Sequence, residues 1–364
     1  MDRKSIVILV FSIIGLIAWF PLVNKYYPPQ EQSRNVAENQ DGAVITDPGN
    51  TAQAEETILQ SSETAPAVTR TPAVAISTPQ ESATVPENES LLIWENDNLA
   101  YEFTSAGGGI KTVILKQYQG TTKCNNEESE ETTETDHVRL NVNVPTPALN
   151  LFFGKLDNGF LPYTLRQEGD EILAEYLGPD GIRVLKTFQP STNYVIEAKI
   201  TIENTSYEPK VIPEHYLVTG TATPTKPTDT GMYMGMRYHN GEGVEEIKES
   251  WFANRTLGCF PGTPRTVYPS EPGMVRWTAV ENQFFAMLAI PEEPAPGLVT
   301  QQINLAPPTQ EILAAFPKAN MAPKGYQNSL SYPAQELEPG DTIERSFKFF
   351  TGPKEYQTLT KLSQ

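Results

Sequence analysis

Histidine, cysteine and positive charge are all scarce in this chain, and each shortage removes a class of function. Only three histidines occur in 364 residues, His137, His215 and His239, with no HExxH spacing, so a histidine metal centre is not expected. The two cysteines, Cys124 and Cys259, lie far apart with no CxxC pair. That excludes a disulfide framework and a zinc ribbon, and leaves open one Cys124–Cys259 bond or two thiols. Lys and Arg number 27 against 45 Asp and Glu, a formal net charge of −18. Nucleic-acid binding calls for basic patches, so that partner is not expected. An acidic chain also gains nothing by lying flat on an anionic leaflet. No GxSxG nucleophile elbow is present. The run Gly107-Gly108-Gly109 lacks the GxGxxG spacing and the strand-to-helix setting of a dinucleotide site, so it reads as a tight β-turn. An acid–base set could be assembled from Glu214, His215, His239 and Glu281, but nothing in their spacing singles them out. No catalytic residue, cofactor or metal is therefore expected.

Long apolar runs are equally rare, and the single one present is informative. Ile6 to Val23 reads IVILVFSIIGLIAWFPLV. At 1.5 Å per residue it spans about 27 Å, close to the hydrocarbon thickness of a bilayer. Arg3 and Lys4 precede it, which orients the first residues 1–5 toward the cytoplasm and everything after Val23 outward. Trp19, Tyr26 and Tyr27 fall where an interfacial aromatic belt would lie. No small-x-small cleavage site comes after it, which favours a retained anchor over a removed signal peptide.

Residues 24–90 are rich in Pro, Thr, Ser, Glu, Gln and Ala, and almost free of aromatics past the membrane boundary. Such a stretch buries too little apolar area to offset the entropy of ordering, and is expected to be a disordered linker. Order is expected from Leu91. Leu91–Trp94, Leu99–Thr104 and Ile110–Lys116 read as strands, with Glu95-Asn96-Asp97-Asn98 as a turn. Further strands are expected at Asn150–Phe153, Ile172–Tyr176, Ile182–Phe188, Val195–Glu203, Lys210–Val218, Arg276–Val280, Phe284–Ile290, Gly297–Leu305, Glu311–Phe316 and Thr342–Thr351. Asn158-Gly159, Pro179-Asp180-Gly181, Asn240-Gly241 and Glu338-Pro339-Gly340 separate them. Many short strands without alternating helices indicate an all-β antiparallel sandwich over residues 91–352. The acidic stretch Cys124–Asp136 and the Pro/Thr-rich Thr221–Thr230 read as loops. Trp251, Phe252, Phe260 and Trp277 could line a groove, though core packing is the expectation. The last residues, 353–364, begin PKEYQTLTKL and read as a short helix with Pro353 in its first turn.

Several segments together resemble one family. These are the opening Met1-Asp2-Arg3-Lys4-Ser5-Ile6-Val7 into an apolar helix, Glu95–Phe103, and Gly107-Gly108-Gly109-Ile110 through Lys116. Lys186-Thr187-Phe188 with Tyr194-Val195-Ile196 and Glu203-Asn204 come next, then Trp277 with Asn282-Gln283-Phe284-Phe285-Ala286-Met287. The series ends in Phe349-Phe350-Thr351-Gly352-Pro353-Lys354-Glu355-Tyr356. In order and spacing they resemble the bacterial membrane protein insertase family YidC. The resemblance implies a β-supersandwich of the galactose-mutarotase-like type, held periplasmically by an inner-membrane anchor. It implies nascent membrane proteins, subunits of the Sec translocon and membrane lipid as partners, and binding in place of turnover. Family members continue past the GPKEY helix into further transmembrane helices, so the chain is expected to be one part of such an insertase. The other reading open to the residues is a membrane-anchored carbohydrate-binding or mutarotase-like domain. Asn88, Asn204 and Asn254 sit in glycosylation-type triplets, which would matter only in a glycosylating host.

Overall fold

The computed structural model describes residues 88–120, 137–191, 194–255, 262–270 and 272–355. All of them fall in the second of two units, Ala75–Gln364. The expected anchor, the linker up to residue 87, both cysteines, Phe260 and Tyr356 lie outside the described residues.

The first sheet has the order β1 (Leu91–Glu95), β2 (Leu99–Thr104), β3 (Gly109–Gln119) and β4 (His137–Leu140). Its entry is fixed slightly earlier than the sequence suggests. Ser90 and Ser105 exchange hydrogen bonds, and the Glu89 carboxylate accepts from Thr104 at 2.6 Å and Lys111 at 2.7 Å. Burial is the largest single effect on the Glu89 carboxyl and raises it, but the bonds and charge of Lys111 and Thr104 together outweigh it and leave the carboxyl below its ordinary value. The main sheet has nine strands. At one side stand β13 (Val244–Ile247), β12 (Gly235–His239), β15 (Trp277–Glu281) and β16 (Phe285–Pro291). It continues through β20 (Thr342–Pro353) and β9 (Val195–Asn204) to β8 (Ile182–Pro190), β7 (Glu171–Leu177) and β6 (Thr164–Glu168). A five-stranded sheet has the order β14 (Val267–Pro269), β17 (Gly297–Asn304), β18 (Lys324–Tyr332), β11 (His215–Ala222) and β5 (Leu151–Phe153). The short pair β10 (Lys210–Ile212) and β19 (Gln335–Leu337) completes the described strands.

Every one of these pairings is antiparallel. Period-2 burial is a consequence of the pleat. In β8 the residues Ile182, Val184, Lys186 and Phe188 point inward. Met287 of β16 and Thr351 of β20 are cross-strand partners and so share one face. Met287 meets Gly220 of the five-stranded sheet, while Thr351 is hydrogen-bonded to Tyr101 of the first sheet at 3.0 Å. Both smaller sheets therefore cover the same face of the nine-stranded sheet. This is the sandwich expected from the strand pattern.

Three local expectations are corrected. Glu311–Phe316 is not a strand; Gln310–Ala315 forms helix α2, capped by the Thr309 hydroxyl accepting from the Ile312 amide at 3.3 Å. A second short helix, α1, occupies Glu249–Ala253. Lys210–Val218 is two strands, because Pro213 lacks the amide that a continuous ladder needs. Pro353 does not open a helix: it is the last residue of β20, opposite Phe285.

Candidate interaction site at the end of the last strand

The motif positions fall in three places. Gly107–Gly109 form the turn from β2 into β3, as the sequence suggests. Gly107 and Gly108 have φ of +80° and +56°, and a Cβ on Gly108 would lie 2.5 Å from the Tyr163 ring. The Gly107 carbonyl accepts from Lys186 Nζ at 2.7 Å, and the Leu149 carbonyl does so at 2.8 Å. The ammonium sits 4.6 Å from the centre of the Tyr163 ring. Burial holds Lys186 well below the ordinary lysine range. Lys186 is 0% exposed, so the arrangement fixes the turn. Trp277 starts β15 opposite His239, with ring centres 6.3 Å apart.

The third place gathers Phe284, Phe285, Gly352, Pro353, Lys354 and Glu355. The turn between β15 and β16 is shaped by Asn282, whose Oδ1 accepts from the amides of Phe284 and Phe285 at 3.1 and 2.9 Å. Phe285 pairs with Pro353 and Ala286 with Gly352. The ladder then extends one step, the Lys354 amide donating to the Phe284 carbonyl at 2.8 Å. Lys354 Nζ lies 3.4 Å from Glu281, which also meets Arg237 at 3.3 Å. Tyr118, at the far end of β3, donates to the Glu355 carboxylate at 2.8 Å and stands edge-on to the Phe285 ring, 5.3 Å between centres. Tyr194 packs where a Gly352 side chain would go, 2.9 Å from where its Cβ would stand. Burial, and after it the neighbouring Glu355, push the Tyr118 hydroxyl above its ordinary range. Phe284 remains 56% exposed beside this ordered cluster. The site thus grips the chain as it leaves the sandwich and offers an aromatic face next to that exit. Tyr118 carries no signal in the sequence and Tyr194 stands out only within Tyr194-Val195-Ile196, since no local spacing links either to residues 284–355.

The acid–base set does not assemble. His215 lies in the five-stranded sheet, 1% exposed, stacked on Tyr332 with ring centres 5.3 Å apart. Burial lowers its pKa to about 4, so it is neutral near pH 7. His239 and Glu281 occupy opposite ends of the β12–β15 pairing. Glu214 lies next to Tyr216, raising that hydroxyl, already lifted by burial, to about 12. Trp251 packs edge-on against Phe252 and Tyr268, and Phe252 is fully buried against Tyr326, which matches core packing. Among the described residues no group of three or more His, Cys, Asp or Glu could hold a metal, and no helix is long and apolar enough to cross a membrane.

Among solved structures, a galactose mutarotase related enzyme from Lactobacillus acidophilus covers 72% of this chain and 97% of its own at 9% identity and a TM-score of 0.43. A galactose mutarotase-like protein from Lactobacillus casei ATCC 334 covers 72% and 100% at 8% identity and a TM-score of 0.42. No chemistry is transferred at such values. The membrane protein insertase YidC of Syntrophus aciditrophicus (strain SB) is 23% identical over 375 residues. That match takes in 99% of this chain but 60% of the relative, so the chain spans about three fifths of that protein's length. The family described as the YidC periplasmic domain matches residues 94–364, nearly the whole of the sandwich, and the chain belongs to that family.

Proposed function

We propose that this chain is the anchored periplasmic portion of an insertase that places and folds proteins in the bacterial inner membrane. In this reading residues 6–23 cross the membrane with the amino terminus cytoplasmic, and residues 24–90 are a linker. Residues 91–352 are an interaction and scaffold module, and residues 353–364 lead toward the membrane-embedded part of the insertase. Its partners are nascent membrane proteins, Sec translocon subunits and lipid. The observation that carries this reading is the grip on the exit strand. Tyr118, Tyr194, Phe285 and Glu281 each contact one of residues 352–355, which fastens the last described residues to the sandwich.

Such a protein works by binding, without covalent chemistry. Transfer of a substrate helix into lipid is driven by its own apolar residues, about −0.3 to −0.6 kcal/mol for each Leu, Ile, Phe or Val at the helix centre. The periplasmic module has only to position partners. Cells depleted of their insertase and supplied with the full parent gene test this. Insertion of inner-membrane proteins is expected to be restored. Failure to restore it with a stably expressed, membrane-inserted product would refute the reading. Deleting residues 91–352 then separates an accessory module, which leaves growth intact, from one that insertion needs.

A further inference from the structure

The six outer strands of the three larger sheets are not alike. Five of them carry a feature that discourages further pairing. β6 holds Arg166 and Glu168, β13 holds Glu245 and Glu246, and β4 holds Arg139. β14 and β5 are only three residues long, and β14 ends in Pro269. β1 has none of these, reading LLIWE with its one charge at the last residue. Its pairing with β2 is continuous, and the Ser90 carbonyl and the Asn96 amide both bond toward β2. Alternation along an antiparallel ladder then turns the amides and carbonyls of Leu91, Ile93 and Glu95 to the free edge. Leu91 and Ile93 are 51% and 57% exposed, while Leu92 and Trp94 pack on the core. β1 thus offers a row of backbone groups and two apolar side chains to one more extended strand.

One segment of the chain matches this edge. Ala73-Val74-Ala75-Ile76, outside the described residues, is the longest unbroken apolar run between residues 28 and 90. Alternation of β-branched and small side chains suits a strand covered on one face. Set antiparallel with Val74 opposite Ile93, the run brings Ile76 opposite Leu91 and the two alanines opposite Leu92 and Trp94. In the same register Pro72, which has no amide to give, falls opposite Glu95 and ends the ladder. Arg70, the only charged residue between positions 65 and 80, then stands opposite Asp97 and beside Glu95, so the charges are complementary. Residues 78–88 return the chain to Glu89, which Thr104 and Lys111 hold in place. A second copy fits less well. A twofold axis at Ile93 would set Leu91 against Glu95 of the copy, and two such short strands fall far below the roughly 1,200 Å² of a stable interface. A tethered segment needs no such area, because its effective concentration is about millimolar.

We propose that residues 72–76 add to the free edge of β1 as a further antiparallel strand of the first sheet, so that the linker proper ends at residue 71. Val74 and Ile76 cover Ile93 and Leu91, and the amides of Leu91, Ile93 and Glu95 find carbonyl acceptors at residues 76, 74 and 72. The tether between the membrane and the sandwich is shortened accordingly. Nothing in this pairing depends on the insertase reading.

Hydrogen exchange of the full chain in detergent, compared with the double variant Val74→Asp, Ile76→Asp, tests it. Both substitutions lie outside the described sandwich and leave its core untouched. The Ile93 and Glu95 amides are expected to exchange at least about tenfold faster in the variant. With Cys124 and Cys259 replaced by serine, Val74→Cys combined with Ile93→Cys is expected to close an intramolecular disulfide on mild oxidation. Ala73→Cys combined with Ile93→Cys places the thiols on opposite faces and is expected not to close. Equal exchange at Ile93 and Glu95 in the two proteins overturns the proposal, whether the edge is then open or held by another protein. Equal cross-linking of the two cysteine pairs overturns it by showing that the segment has no register on β1. Protection that fades on dilution, or a disulfide between two chains carrying Ile93→Cys alone, assigns the edge to a second copy and overturns it as well.

Discussion

The Tyr118 hydroxyl donates to the Glu355 carboxylate at 2.8 Å across 237 positions of sequence, joining the end of the third strand to the residues just past the last one. Exposed hydrogen bonds contribute little to global stability, about 0.5–1.5 kcal/mol. Their effect on local opening is easier to see. Tyr118→Phe is therefore expected to lower global stability by less than ~1 kcal/mol while speeding hydrogen exchange of the Lys354 amide about fivefold. That amide carries the last backbone bond of the strand, to the Phe284 carbonyl. Unchanged exchange at Lys354 would show that Tyr118 does not hold the exit.

Gly108 combines two constraints, a φ of +56° and a Tyr163 ring 2.5 Å from where a Cβ would stand. Gly159 has only the first, with φ +78° and open space around it. Left-handed strain alone costs roughly 1–2 kcal/mol, and overpacking adds about 1–3. Gly108→Ala should thus lower the urea-derived stability by about 2–5 kcal/mol and Gly159→Ala by about 1–2. Equal losses would mean that the Tyr163 contact is relieved at no cost.

Asn328 ties the two main layers together. Its amide nitrogen donates to the Thr278 hydroxyl at 2.8 Å and the Ala279 carbonyl at 3.1 Å, and its oxygen accepts from Thr300 at 2.7 Å. All three polar side chains are fully buried. Asn328→Leu removes a partner from the Thr300 hydroxyl, the Ala279 carbonyl and the Thr278 hydroxyl, which keeps its bond to the Arg237 carbonyl, and is expected to cost about 2–4 kcal/mol by denaturant titration. A cost below ~0.5 kcal/mol would mean that the layer is held by apolar packing alone.

His215 predicts the acid limb of the stability profile. Its pKa is about 4 in the fold against 6.5 for an ordinary histidine. Between these values the unfolded chain binds the proton and the folded one does not, so stability rises with pH across this window. The loss begins below about pH 6.5 and is complete near 4, amounting to on the order of 3 kcal/mol. His215→Phe keeps a ring against Tyr332 and should flatten that part of the profile. Unfolding free energies at several pH values for both proteins decide it: parallel curves would place the acid sensitivity elsewhere.

Much of the fold is legible in the sequence because its strands alternate or carry continuous β-branched and aromatic residues. Ile182–Phe188 and Val195–Glu203 are of this kind, and both are central strands. Lys324–Tyr332 is central too, but reads KGYQNSLSY. Its Gln327 and Asn328 are buried because Gln301, Thr278 and Thr300 satisfy them from other strands, partners that no local pattern reveals. Glu311–Phe316 misleads for the opposite reason. Its apolar content suggests a strand, while the cap at Thr309 and the two alanines decide for a helix. The exit cluster is half legible: Phe284, Phe285 and Gly352–Glu355 stand out as motifs, but Tyr118 and Tyr194 join them only through the folded sheets.

The mass of the native protein in its source membranes, probed with an antibody to residues 91–352, is the most direct test of the insertase reading. Membership of a larger insertase predicts a membrane-bound band clearly heavier than the 40.3 kDa of this chain. A band at the chain's own mass would contradict it, and would leave a free-standing anchored domain in place of an insertase.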